Sequence, residues 1–237
     1  MLLLRQAFFV VILHVASSLL SQGTLSPPFW GPYWTAPFFQ TITIDYFFTF
    51  NNSVQWFYDS STSPVGSSLY RHSKGQIDEL CTSIVGKEKS DEACDLLASV
   101  DGWRRIIFPS SGECCKYCNT SDYCGIVSPD WLQKNSTFVG SLTIGGKVCD
   151  GWLKEGGEKN FYYAERNSGQ PCEYYEGYPT LPQSSNYWHF SDYYTDFSRS
   201  RPAPSTFTPP ANCDSMCEIS ESSYAERVAY RVQHYRG

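Results

Sequence analysis

The N-terminal segment constrains this chain most, because it predicts the compartment in which everything after it folds. A single cation, Arg5, precedes an apolar run over residues 7–13, and small residues follow as far as Gly23. This layout is typical of a cleaved secretory signal peptide over residues 1–23. The run is shorter than the ~20 apolar residues of a membrane span, and a buried N-terminal helix is the alternative. No second long apolar run follows, so we expect no transmembrane segment.

Export determines the chemistry that we expect of the cysteines. Secreted proteins, and proteins of the lysosomal or vacuolar lumen, fold where thiols are oxidised, and the even count of ten leaves no obligatory free thiol. We therefore expect a secreted or luminal protein in which all of the cysteines form disulfides: Cys81, Cys94, Cys114, Cys115, Cys118, Cys124, Cys149, Cys172, Cys213 and Cys217.

Four of these cysteines crowd into residues 114–124, with the spacing CC-x2-C-x5-C. A structural zinc site of four thiolates is the alternative to disulfides here. The two adjacent cysteines point in different directions on most backbones, so we expect them to pair with different, distant partners. Connectivity does not follow from the sequence. We expect Cys81 to pair with Cys94, and Cys213 or Cys217 to return to the body of the fold.

The composition favours β structure. The chain contains 17 Tyr, 15 Phe and 7 Trp, and aromatic side chains suit pleated, half-buried surfaces. Apolar and polar residues alternate with a period of two over residues 40–50, Asn51-Asn52 predicts a turn, and residues 54–58 are the predicted hairpin partner. Further strands are predicted over 67–71, 103–108, 136–144, 147–154, 160–164 and 172–178, and short helical pieces over 76–81 and 91–97. The sequence predicts a mainly β fold: two antiparallel sheets, stacked or half-closed, with short helices and disulfide staples.

Three further segments complete the predicted organisation. Residues 24–38 are rich in proline and aromatic residues and predict an extended arm. Residues 39–217 form a single β domain. Residues 218–237 form a short helix and tail, with a capping box at Ser223 and Glu226. Three Asn-x-Ser/Thr sequons predict a glycoprotein, with acceptors at Asn51, Asn119 and Asn135.

Several motifs resemble, in order and spacing, those of the ependymin-related secreted proteins and their protist and plant-like relatives. The resemblance covers about residues 39–217 and is carried by Trp56-Phe57-Tyr58-Asp59, Tyr70-Arg71-His72, Cys114-Cys115-x2-Cys118-x5-Cys124-Gly125, Asp130-Trp131-Leu132, Phe138-Val139-Gly140, Gly145-Gly146-x-Val148-Cys149-Asp150-x-Trp152, Asn160-Phe161-Tyr162-Tyr163 and Pro209-x3-Cys213. It implies a fold similar to bacterial lipoprotein carriers, with an apolar pocket for a hydrophobic ligand. Some members of the family associate with calcium and with the extracellular matrix.

The function predicted from these observations is non-catalytic binding of a lipid-like ligand between β-sheets. An antiparallel sheet with a long apolar face buries it on a second sheet, on helices or on a ligand. In a cradle-like fold the residues predicted to line the pocket are Ile42, Ile44, Tyr46, Phe48, Trp56, Phe138 and Trp152. A close-packed core without a pocket is the alternative, and it would suit a protein that binds matrix or cell-surface components. With net charge −6 and no basic run, the chain is a poor nucleic-acid binder.

The sequence supports a catalytic or a metal-binding function less strongly than it supports ligand binding. A carbohydrate-active enzyme would need two carboxylates facing each other across a cleft, drawn from Glu173, Glu176, Asp192 and Asp196. A thiol hydrolase would need a cysteine beside His72 or His189. Asp91, Glu92 and Asp95 could hold calcium, but acids at the start of a helix explain them more simply. We expect no enzyme activity, no cofactor and no metal site, with calcium kept as an unassigned alternative.

Overall fold

A computed structural model describes the chain over residues 25–44, 48–62, 64–76, 78, 80–87, 90–122, 124–156, 159–177 and 185–220. The predicted signal peptide and the predicted C-terminal helix at 223–237 lie outside these residues. No helix within the described ranges is long and apolar enough to cross a membrane.

Eleven strands account for nearly half of the described chain. In order they are β1 (Tyr33–Ile44), β2 (Phe48–Asp59), β3 (Ser67–His72), β4 (Cys94–Ala98), β5 (Trp103–Phe108), β6 (Glu113–Asn119), β7 (Ser136–Ile144), β8 (Lys147–Lys154), β9 (Lys159–Glu165), β10 (Pro171–Gly177) and β11 (Ser185–His189). Short 3₁₀ helices cover Cys81–Ser83, Thr120–Asp122, Ser191–Asp196 and Pro204–Phe207. The mainly β, antiparallel fold with minor helices is confirmed.

All eleven strands belong to one antiparallel sheet, in the order β6-β5-β4-β3-β2-β1-β11-β10-β9-β8-β7. The chain runs outward as a meander from β1 to β6, crosses to the opposite edge and returns from β7 to β11. The long β1–β2 hairpin at the centre pairs without a shift from Tyr33 opposite Asp59 to Ile44 opposite Phe48. The return is completed where β11 pairs with β1, with Phe39 opposite His189.

The sheet curves around the face that carries Trp34, Phe38 and Trp56, which we call the inner face. In a flat sheet β2 and β9 would lie about 19 Å apart, four strand spacings of ~4.8 Å. The ring of Trp30 nevertheless lies 5.4 Å from Trp56 on β2 and 5.5 Å from Tyr162 on β9. Register shifts between Arg104 and Arg105, Phe138 and Gly140, and Pro171 and Glu173 are the irregularities that bend strands in this way. One sheet therefore forms a half-closed trough.

The predicted arm over 24–38 is corrected in its second half, because residues from Tyr33 onward belong to the central strand β1. Proline is tolerated at Pro37 because of the register. Thr35 exchanges backbone hydrogen bonds with Ser198 on the side of β1 away from β2. Pro37 presents its nitrogen to that same side, where pairing with β11 starts only at Phe39. The missing N–H therefore interrupts neither ladder.

Two other local predictions are wrong. Residues 91–97 were expected to be helical, but Cys94–Ala98 forms β4, in which all five residues are buried. The Asn51-Asn52 turn is instead part of β2, and the β1–β2 connection falls at residues 45–47, outside the described ranges. The strands predicted over 103–108, 136–144 and 147–154 are confirmed residue for residue.

Five disulfides pair all ten cysteines, which confirms the disulfide prediction and leaves no thiolate of the 114–124 cluster for zinc or nucleophilic catalysis. Cys81 is paired with Cys94, as expected. The remaining bridges join Cys114 to Cys213, Cys115 to Cys217, Cys118 to Cys124, and Cys149 to Cys172.

The adjacent pair Cys114 and Cys115 fastens the C-terminal segment around the β6 edge of the sheet. Cys114 packs with Cys213 on the outer face, against Leu69 and Leu97, whereas Cys115 packs with Cys217 among residues of the inner face. Between the two bridges, Lys116 exchanges backbone hydrogen bonds with residues 215 and 217. The β6 edge is therefore covered covalently and by hydrogen bonds.

Candidate functional site

An aromatic cluster fills the base of the trough. Alternate residues of the β1–β2 hairpin point inward, which places Trp34, Phe38, Trp56 and Tyr58 side by side. Trp30, which is 6 % exposed, sits among them and meets Trp34 and Trp56 edge to face at 5.5 and 5.4 Å. Such edge-to-face contacts are favoured by the ring quadrupoles. The alternation of side chains along these two strands thus places the aromatic residues on the inner face, where they form the base of the trough, which we call the aromatic floor.

The connection between β6 and β7 closes one end of this trough. The Tyr58 hydroxyl donates a hydrogen bond to the carbonyl of Val127 at 2.7 Å, and the Trp30 amide donates to the carbonyl of Pro129 at 3.0 Å. Trp131 meets the Trp30 ring at 5.5 Å, and the side chain of Leu132 is fully buried. Burial accordingly raises the pKa of Tyr58 to about 12.

A cavity of about 520 Å³ remains above this floor. Its aromatic lining comprises Trp30, Phe38, Trp56, Tyr70, Trp131, Tyr174 and Trp188. Polar side chains also reach it from six strands and one loop: Gln40, His72, Asp78, Arg104, Asn160, Glu176 and Asn186. The volume and the mixed lining are those of a small-molecule site.

The polar side chains at one end of the cavity form a connected network around Glu176. The Tyr174 hydroxyl lies 2.5 Å from Glu176 Oε1 and also contacts Asn160 Oδ1, so its one proton can be donated to either oxygen. Asn186 Nδ2 donates to Glu176 Oε2 at 3.2 Å. Gln40 Nε2 donates to Asn186 Oδ1 at 3.1 Å, and Asn52 Nδ2 donates to Gln40 Oε1 at 3.4 Å. Desolvation of the carboxyl outweighs these hydrogen bonds, so the pKa of the Glu176 carboxyl lies above its usual range.

A second polar group faces the cavity from β3 and the loop that follows it. His72, 2 % exposed, has its Nε2 at 3.5 Å from Asp78 Oδ2. Asp78 Oδ1 accepts the backbone N–H groups of Leu80 and Cys81. Arg104, on β5, donates to the carbonyl of Gly125 at 3.5 Å. This histidine has a carboxylate beside it rather than a thiol, since every cysteine is bridged.

The seven residues predicted to line the pocket do not all lie at the cavity. Ile42 and Trp56 line the cavity. Trp152 is 4 % exposed and belongs to the same aromatic cluster but does not line the cavity, whereas Phe138 is 40 % exposed at the β7 edge and meets Trp152 at 5.3 Å. Tyr46 and the side chains of Ile44 and Phe48 lie outside the described residues.

The carboxylates considered for glycoside hydrolysis do not face one another. Glu176 lines the cavity, but Glu173 lies three residues earlier on β10 and therefore on the other face, where it accepts a hydrogen bond from Tyr187. Asp192 and Asp196 are exposed on the 3₁₀ helix. The geometry does not support a paired-acid mechanism by these four groups.

Two of the three acids considered for calcium, Glu92 and Asp95, have cationic partners. Asp95 is paired with Arg71 at 3.2 Å, and Glu92 with Lys87 at 2.9 Å. Over the described ranges, no three His, Cys, Asp or Glu side chains converge closely enough to hold a metal ion. Of the sequon asparagines, Asn51 and Asn135 are exposed, while Asn119 is half-buried and accepts the Ser121 amide at 2.7 Å.

Comparison with known proteins gives fold likenesses only. No family model matches the chain, and no curated protein matches it by sequence. Among solved structures, it is similar to MucB, with TM-score 0.42 and 10 % identity over 82 % of this chain and 62 % of that one. An uncharacterised conserved protein from Thermus thermophilus gives TM-score 0.46 and 8 % identity over 78 % and 89 %. A putative outer membrane lipoprotein-sorting protein domain from Vibrio parahaemolyticus gives 0.38 and 7 % over 76 % and 90 %.

These values describe an arrangement of strands and carry no information about ligand or activity. The chain spans about 62 % of the MucB structure, so further parts of that protein have no counterpart in it. The lipoprotein-carrier-like β fold expected from the resemblance agrees with the half-closed sheet. Membership of the ependymin-related family stays a prediction.

Proposed function

We propose that this protein binds a hydrophobic small molecule in the inner-face cavity and performs no catalysis on it. The observation that carries the proposal is the cavity itself, a half-open space of about 520 Å³ with an aromatic floor and a polar end. Small-molecule sites commonly have volumes of about 300–1,000 Å³ and a few polar groups that orient the ligand. The protein would be secreted or luminal, stapled by its five disulfides and glycosylated.

The cavity favours ligand binding over a filled core. Aromatic side chains that line a space of this size and polarity touch water there instead of other apolar groups. Aromatic residues such as Phe38, Tyr70 and Trp188 line this space instead of filling it. A bound apolar chain would supply apolar contacts and bury apolar surface, at about 25 cal/mol per Å².

The test begins with the native protein. Solvent extraction followed by mass spectrometry is expected to release an apolar small molecule, and the emptied protein is expected to bind a fluorescent lipid probe. Ile42→Trp, which fills part of the cavity, is expected to weaken probe binding at least about tenfold. Val148→Trp, at a residue 45 % exposed on β8, is the control that should leave binding unchanged.

Absence of any extracted molecule, together with no uptake of the probe by a folded protein, would refute the binding proposal. The same preparation tests export and glycosylation. N-terminal sequencing is expected to begin near residue 24, and enzymatic removal of N-glycans is expected to convert modified Asn51, Asn119 or Asn135 to aspartate.

A second candidate is an interaction protein of the matrix or cell surface. It is favoured by the apolar side chains that β7 and β8 expose at one edge of the sheet: Phe138, Val139, Leu142 and Val148. One variant distinguishes the two candidates: polar substitution of Val139 and Leu142 would abolish partner binding and leave probe binding intact.

A further inference from the structure

A row of polar side chains crosses four neighbouring strands at one end of the cavity. Lys154 on β8 is opposite Asn160 on β9, Asn160 is opposite Glu176 on β10, and Glu176 is opposite Asn186 on β11. All four residues line the cavity. The neighbouring row, two residues along each strand, is aromatic and consists of Trp152, Tyr162, Tyr174 and Trp188. The cavity thus has an apolar body and one polar end, with the geometry of an amphiphile.

The hydrogen bonds of this row are directed toward Glu176. Asn52 donates to Gln40, Gln40 donates to Asn186, and Asn186 donates to Glu176 Oε2. An amide that donates from its nitrogen leaves its oxygen to accept, so the chain of amides ends on the carboxylate, which accepts only. The Tyr174 hydroxyl lies within hydrogen-bond distance of the other carboxylate oxygen and of Asn160 Oδ1, and its single proton serves one of these oxygens at a time. An ionised carboxylate has about four lone-pair sites, and these two bonds leave room for a donor from a ligand.

The charges around the cavity leave Glu176 without a cation of its own. Lys154 lies two strands away, about 10 Å across the sheet, and its ammonium donates to the carbonyl of Lys134. The guanidinium of Arg104 is bonded to the carbonyl of Gly125, and His72 lies beside Asp78. Glu155, at the cavity mouth, is exposed and adds a second negative charge near Lys154. None of these groups appears among the hydrogen-bond partners of Glu176 that the described residues provide.

We propose that the polar row is a head-group subsite that takes a protonated amine, or an ammonium group, carried on an apolar chain. The ammonium would donate into the free lone pairs of Glu176, and the aromatic faces of Tyr174 and Trp188 next to it would attract the positive charge. The chain would lie over the aromatic floor. This inference rests on the proposed function and specifies the ligand class of the same site.

Desolvation gives the subsite its selectivity. Burial holds the pKa of Glu176 above the usual carboxyl range, and a cation beside the group removes that penalty while a neutral head does not. A carboxylate or phosphate head would be repelled by the negative charge of Glu176. We therefore expect the order amine, then alcohol, then acid among ligands with the same tail.

The experiment compares dodecylamine, dodecanol and dodecanoic acid as competitors of a neutral fluorescent lipid on the full-length protein at neutral pH. Dodecylamine is expected to bind about tenfold more tightly than dodecanol, the advantage typical of one charge-assisted hydrogen bond. In Glu176→Gln this advantage should disappear while dodecanol affinity is kept. Glu173→Gln, the same change on the other face of β10, is the matched control and should retain the advantage.

Each outcome separates the two proposals. Equal binding of amine and alcohol to the wild-type protein, or an amine advantage that survives in Glu176→Gln, overturns the head-group assignment while ligand binding stands. Failure of all three competitors and of the neutral probe refutes the binding function itself. Lysophosphatidylethanolamine distinguishes the source of the amine: Glu176-dependent competition by it indicates a phospholipid head group, and competition by dodecylamine alone indicates a free long-chain amine.

Discussion

The two bridges at Cys114 and Cys115 close nearly the same loop, with sequence separations of 99 and 102. By chain entropy, a cross-link around about 100 residues is worth about 4.7 kcal/mol. Once one bridge exists, however, the other closes a ring of only about five residues, from 115 to 114 and from 213 to 217. The same relation gives about 2 kcal/mol for that smaller ring. Removing either bridge alone should therefore cost about 2 kcal/mol.

Removing both bridges should cost about 7 kcal/mol, which is far more than twice the single loss. The variants are C114A/C213A, C115A/C217A and the fourfold combination, and the measurement is equilibrium urea unfolding of the oxidised proteins, followed by tryptophan fluorescence. The bridge Cys149–Cys172, with a separation of 23, closes a loop nested within the two longer ones, and because loop entropy varies only with the logarithm of length it changes their cost little. Its removal as C149A/C172A should cost about 3.4 kcal/mol, and that cost should add to either single loss.

Simple additivity would refute this reasoning. If each bridge of the pair costs about 4–5 kcal/mol alone, the two do not constrain the unfolded chain redundantly. Replacing Cys213, which is 2 % exposed, also costs packing energy, and this loss is the same in C114A/C213A and in the fourfold variant. It therefore cannot produce the expected excess.

Two predictions concern titratable groups. Glu176→Gln should raise the free energy of unfolding of the empty protein at neutral pH, because the raised pKa of Glu176 makes wild-type stability fall as pH rises above the ordinary value of 4.5. In urea unfolding at a series of pH values, the stability difference between variant and wild type should vanish below that value. A variant that is less stable than the wild type at pH 7 would contradict this. Asp101→Asn should cost about 1 kcal/mol at neutral pH, since it leaves Arg105, 4 % exposed, without its 2.5 Å partner. The Arg105 hydrogen bond lowers the Asp101 pKa, so this contribution is complete above the ordinary value of 3.8 and is lost as pH falls through the lower folded value; a wild-type advantage that persists unchanged in strong acid would count against this.

Strand positions were predictable where local pattern and turn residues agreed. β7 and β8 are nine and eight residues long and are separated by the hairpin signal Gly145-Gly146, which fixes where one strand ends and the next begins. The 91–97 segment failed because its acids satisfy helix-start rules locally, while pairing with β3 and β5 buries Leu96 and Leu97 on opposite faces. Tertiary pairing overrode local preference there.

The polar end of the site was missed because it exists only in the register of strands far apart in sequence. Asn186 belongs to no motif, Asn160 was noted only as part of Asn160-Phe161-Tyr162-Tyr163, and Glu176 was weighed as a catalytic acid. The usable signal was the spacing of Tyr174 and Glu176, which places both on one face of a strand. That face could have been assigned to the interior only if the return of β11 to β1 had been known.

The two edge strands of the sheet, β6 and β7, differ in whether they can pair with another strand. The C-terminal segment occupies the backbone groups of Lys116 on β6, whereas over the described ranges β7 has a ladder partner only on its β8 side. Because the C-terminal segment lies against β6 at Lys116, addition of a strand from another molecule is directed to the β7 edge.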